Sequence, residues 1–63
     1  MGMVFDMSAS VAELAIGLVT YARDYEETPT KTNKEALVRT RKKVEMFLGY
    51  FDNAVESFDE KED

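Results

Sequence analysis

Apolar residues recur through the first part of the chain at Val4, Met7, Val11, Leu14, Leu18, Tyr21 and Tyr25. Their spacing alternates three and four, the heptad seam of an α-helix. A second row, Phe5, Ala9, Ala12, Ile16 and Val19, runs at the same spacing. At 100° per residue it lies ~145° around the helix from the first. Ala15 and Ala22 fill the sector between the rows, leaving Ser10, Glu13, Gly17, Thr20 and Asp24 as a narrow polar strip. The pattern predicts a helix over about residues 4–26. Ser10 and Glu13 have the spacing of a capping box and mark a competing start at Val11.

The run Glu26-Glu27-Thr28-Pro29-Thr30-Lys31-Thr32-Asn33 is the one interruption. Pro29 biases Thr28 away from helical geometry, so a loop over about residues 27–32 is expected. Beyond it, Leu37, Thr40, Val44, Phe47, Phe51, Ala54 and Phe58 form another heptad seam, widened by Leu48 and Val55. Lys42, Gly49 and Asn53 lie opposite, and Val38, Met46 and Tyr50 fall toward the outer face. This predicts an ordinary amphipathic helix over about residues 33–57. Two start signals compete: Thr32 with Glu35 as a capping box, and Thr28 capping a first turn that holds Pro29. An acidic, frayed tail over 58–63 is expected, because negative charge is disfavoured at a helix C-terminus.

Two helices of matched length joined by a short loop make an antiparallel αα-hairpin, so the fold class expected is all-α, in one domain spanning residues 1–63. One partner helix covers one stripe. The hairpin core is expected to use Val11, Leu14, Leu18 and Tyr21 against Leu37, Val44, Phe47, Phe51, Val55 and Phe58. The stripe Phe5, Ala9, Ala12, Ile16 and Val19 then needs a second chain. The simplest assembly is a homodimeric four-helix bundle, with the first helix central and the second peripheral. That architecture resembles a small plasmid RNA-binding protein also built from two hairpins, a likeness of fold that assigns no function.

Length strengthens the expectation. A 63-residue chain hides only ~60% of the surface its unfolded form exposes, and small domains usually add disulfides, a metal or a partner. This chain has no Cys and no His, so disulfides and the usual zinc sites are absent. Association is the remaining reinforcement, as a homodimer or a higher even oligomer.

The net charge of −5 is unevenly distributed. Residues 1–30 carry Arg23 against five acids, and residues 31–43 carry six bases against Glu35. Residues 44–63 carry Lys61 against seven acids. The second helix is therefore basic first and acidic second, opposing its own macrodipole. Two copies lying antiparallel would set basic half against acidic half. Glu35–Arg39 and Arg41–Glu45 are spaced for pairs within the helix.

The candidate chemistry is sparse. Without imidazole or thiol, Ser-His and Cys-His hydrolases are excluded, and no enzymatic role, cofactor or metal is expected. Arg39, Arg41, Lys42 and Lys43 invite a nucleic-acid reading. However, they do not form one stripe, and an acidic chain repels phosphate at long range. Asp52, Glu56, Asp59, Glu60, Glu62 and Asp63 read as a solubilising segment; calcium sites want a tight loop with a Gly turn.

Met1–Ser8 lacks the positive region of a signal peptide. The dense apolar stretch Val11–Ala22 is too short to span a bilayer, so a cytoplasmic protein with no membrane partner is expected. The function expected is a non-enzymatic interaction or regulatory protein that self-associates and binds a partner protein. The alternative is an RNA- or DNA-binding bundle using the basic half of the second helix.

Overall fold

The computed structural model describes residues 2–58 and is all-helical. Helix α1 spans Met3–Glu27, α2 spans Lys31–Ser57, and the two pack against each other as a hairpin. Of the expected acidic tail, residues 59–63 lie outside the described residues.

Helix α1 follows its apolar pattern and starts at Met3. The competing start at Val11 is not used. The Ser10 hydroxyl donates to the Asp6 carbonyl at 3.1 Å, one turn back inside the helix, so no cap forms there. Helix α2 takes its cap from neither residue that the sequence signals indicate. Its cap is Thr30, whose Oγ1 accepts from the Asn33 amide at 3.2 Å, and not Thr32 or Thr28. Placing the cap there limits the link between helices to Thr28, Pro29 and Thr30.

That link is held by main-chain and side-chain bonds without any glycine. The Thr28 amide donates to Asp24 O at 2.8 Å, closing α1. The Thr30 amide donates to Thr28 O at 2.8 Å, and Lys34 N donates to Thr30 O at 3.0 Å as α2 begins. Asn33 reaches back with Nδ2 to Thr28 O at 2.8 Å and Asp24 O at 3.5 Å. Pro29, which has no N–H to satisfy, fits between them.

The heptad seams face each other. Val4, Met7, Val11, Leu14, Leu18 and Tyr25 of α1 are half-buried, as are Leu37, Thr40, Val44, Phe47 and Phe51 of α2. Among the described residues only Ala54 is fully buried, at 4% exposure. A two-helix layer cannot surround a large side chain, so this is what the geometry dictates. Thr40 tolerates the seam by returning its hydroxyl to the Ala36 carbonyl at 2.9 Å. This leaves its methyl toward Gly17, where a Cβ would sit 4.0 Å from it.

The hairpin also resolves the charge arrangement of α2. Its basic start lies beside the C-terminus of α1, and its acidic end beside the α1 N-terminus. Each half of α2 thus meets the complementary end of the neighbouring macrodipole. Within α2, Arg41 Nη2 reaches Glu45 Oε1 at 2.8 Å. Glu35 lies 4.0 Å from Lys31, the residue before it on that face, in place of the expected Arg39.

Candidate functional site

The two broad faces of the hairpin differ. On one, the groove between helices is lined by Val4, Phe5, Ser8 and Val11 of α1, by Leu48, Phe51 and Val55 of α2, and by Phe58 just beyond α2. On the other, helical geometry places Ser10, Glu13 and Tyr21 of α1 with Arg39, Thr40 and Lys43 of α2. One face is therefore apolar and open, and the other is polar.

The second stripe of α1 meets the apolar groove at Phe5, and the rest of it runs along the side of α1 turned away from α2. Phe5 is 56% exposed, Ile16 69% and Val19 70%, and Ala9 and Ala12 are exposed between them. Helix α2 adds to this surface. Leu48 is 44% exposed and Val55 42%. Val55 and Phe58, assigned from the sequence to the hairpin core, line the open groove with Phe5 instead, and Phe58 stays 60% exposed. The reason is angular. Leu48 and Val55 sit ~50–70° to one side of the α2 seam, toward the groove that Phe5, Ser8 and Val11 of α1 line. Phe58 follows the last residue of α2 and has extended backbone, so it leaves the seam. The offset of Leu48 and Val55 was present in the sequence; which side it fell on depended on how the hairpin closes.

Among the remaining assigned core residues, Val11, Leu14, Leu18, Leu37, Val44, Phe47 and Phe51 lie between the helices, and Tyr21 sits at the edge with 40% exposed. Tyr50, on the polar side of the seam, packs edge-on against Phe47 with ring centroids 5.4 Å apart.

The basic residues are divided among three surfaces. Arg39 and Lys42 share the outer face of α2 with Lys31, Lys34 and Val38. Arg41 is turned toward Glu45 beside the apolar face. Lys43 stands at the polar groove near Tyr21. Arg39 also lines the polar groove, so it neighbours Lys42 on one side and Lys43 on the other; of the four only Arg41 stands apart, and Lys31 and Lys34 extend the basic strip beyond the run of four. Among the described residues, no three acidic side chains converge in a way that would hold a metal ion.

Helix α1 is longer than its dense apolar stretch. With Met3–Ser10 and Arg23–Glu27 included, it is 25 residues, and an 18-residue window averages a hydropathy of 1.5. By length and composition alone it is long and apolar enough to cross a bilayer, whereas Val11–Ala22 by itself is not. The same helix supplies the seam that packs on α2, and such windows are also found in helices packed within proteins.

No protein-family model matches the chain, and comparison with curated proteins and with solved structures gives no significant match. The functional reading therefore rests on the surfaces just described.

Proposed function

We propose that this chain is a small helical interaction protein that acts by association and not by catalysis. It self-associates through the apolar face and offers its charged outer surfaces to a partner protein. The observation that carries this reading is the exposed row Phe5, Ile16 and Val19 along α1, together with the open end of the groove where Phe5 meets Val55 and Phe58. Contiguous apolar surface of this kind is uncommon on monomers and marks interaction sites.

Light scattering tests self-association. A mass of twice 7.2 kDa, or a higher even multiple, is expected. Ile16→Glu should reduce it to the monomer mass, because a charge on this row has no counterpart to pair with. A folded wild-type monomer overturns the reading. For the partner, affinity capture from the source cell should recover a second protein in fixed ratio, and recovery of this chain alone counts against that part.

The strip Lys31, Lys34, Arg39 and Lys42 supports a second reading, contact with nucleic acid. Titration with RNA and DNA decides it. Binding should fall with salt in proportion to the phosphates neutralised. Absence of binding at low salt removes this alternative.

A further inference from the structure

The groove between α1 and α2 is shaped to take one more helix. We infer that its occupant is a single amphipathic helix of another protein, apolar on one face and basic along the flank that meets α2. This rests on the partner-binding half of the reading above and narrows it to one seat and one kind of ligand.

Three helices packed as a triangle set the two neighbours of each helix about 60° apart. Leu48 and Val55 stand at that offset from the α2 seam, on the side that Val4, Ser8 and Val11 of α1 also line. The walls run from Val4 to Val11 and from Leu48 to Val55, two turns or about 11 Å of each helix. The α1 wall is low. Ser8 is small, and Ala15 continues its line one heptad on, so a helix can settle close to α1. Leu48 and Val55, left exposed by the hairpin, would then be covered on both sides, as apolar anchors are when a helix fills a groove.

Charge beside the groove selects the occupant. Asp52 lies four residues after Leu48 and three before Val55, so it borders them on α2, and Glu56 follows one turn later. Both are exposed. Among the described residues, α2 beyond Lys43 carries acids and no base. The opposite wall, Val4, Ser8 and Val11, is uncharged. A helix seated here meets carboxylates on its α2 side alone, which favours bases along that flank.

Neither helix of this chain answers that description. The exposed row of α1 is bordered by Ser8 and Ala15 on one side and Glu13 on the other, and the one base of α1, Arg23, stands past Val19. The basic side of α2 joins Lys31, Lys34, Arg39 and Lys42, with Val38 as the one apolar residue among them. The occupant is therefore a different chain.

Fluorescence anisotropy tests the seat, with the full chain titrated into a labelled, hydrocarbon-stapled helical peptide of about 14 residues. The peptide carries Leu and Ala on one face and Lys along one flank. A second peptide has Glu in place of Lys. The Lys peptide should bind about tenfold more tightly than the Glu peptide, by a margin that narrows as salt is raised. Asp52→Lys combined with Glu56→Lys should reverse the preference. Leu48→Gln should weaken the Lys peptide about tenfold while the circular dichroism of the hairpin is retained. Ile16→Glu, on the row turned away from α2, should leave peptide binding unchanged.

Equal binding of the two peptides, or a preference that survives the charge reversal, overturns the inference. So does an equal loss in Ile16→Glu and Leu48→Gln. Binding of neither peptide overturns it too. The groove then belongs to a second copy if Leu48→Gln yields a monomer, or to lipid if the wild type floats with phosphatidylcholine vesicles. Affinity capture separates the seat from the reading it rests on. A partner lost in Leu48→Gln supports the seat. A partner retained equally by Leu48→Gln overturns the seat and leaves the partner reading standing.

Discussion

The side-chain amide of Asn33 donates to the main-chain carbonyl of Thr28 at 2.8 Å, tying the first turn of α2 to the residue that ends α1. The same residue's backbone amide donates to the Thr30 cap. One side chain and one cap thus fix the angle at which the chain reverses. Thr30→Ala and Asn33→Ala should each destabilise the fold by about 1 kcal/mol. Because they share one network, the double variant should lose less than the sum. Urea unfolding monitored by far-ultraviolet circular dichroism checks both.

Two glycines lie inside helices, and neither is required by the fold. A Cβ at Gly49 would meet nothing within 4 Å, and one at Gly17 would rest at ordinary contact distance from Thr40. Neither has positive φ. Gly49→Ala should therefore stabilise α2 by about 0.5–1 kcal/mol, with a similar gain at Gly17. A higher thermal midpoint is expected for each, and a lower one at Gly17 would show that the helices need a closer approach there.

Phe47 and Ile16 should respond differently to truncation. Phe47 is half-buried within the hairpin, so Phe47→Ala should cost about 2–3 kcal/mol at any protein concentration. Ile16 is covered only on association. Ile16→Ala should lower the melting midpoint chiefly by weakening the oligomer, and its effect should follow protein concentration. Thermal melts over a wide range of concentration separate the two.

Glu13 is the carboxylate near the middle of the apolar length of α1. A charge at the centre of a bilayer-crossing helix costs about 2.5–3.5 kcal/mol on insertion scales. Wild-type protein should stay in the aqueous fraction in a vesicle flotation assay, and Glu13→Leu should shift part of it to the floated fraction. Flotation of both to the same extent would show that this carboxylate does not keep α1 out of lipid.

The helices and their facing seams were legible in the sequence because heptad spacing fixes a face whatever the partner. Val11, Leu14 and Leu18 meet α2 for that reason. Local termination was less legible. The segment contains Thr28, Thr30 and Thr32, all suitable caps, and the choice of Thr30 depends on where Asn33 can reach. The open face was legible on α1 and not on α2. The lateral offset of Leu48 and Val55 acquires meaning only once the hairpin has closed with a definite hand. The basic strip was obscured for a related reason: the four charges clustered at 39–43 point three ways on a helix, whereas Lys31, Lys34, Arg39 and Lys42 share one side.

The three-residue link between α1 and α2 has a kinetic consequence. Closing so short a loop costs little entropy, and the first interhelical contacts join residues close in sequence. Pairing can therefore start at Tyr25 and Asn33 and zip outward on the microsecond scale of helix formation. The last layer to close, and the first to open, is the far end, where Val4 and Phe5 meet Val55 and Phe58. Hydrogen exchange should consequently show a gradient along each helix, slowest beside the link and fastest at the open mouth of the hairpin.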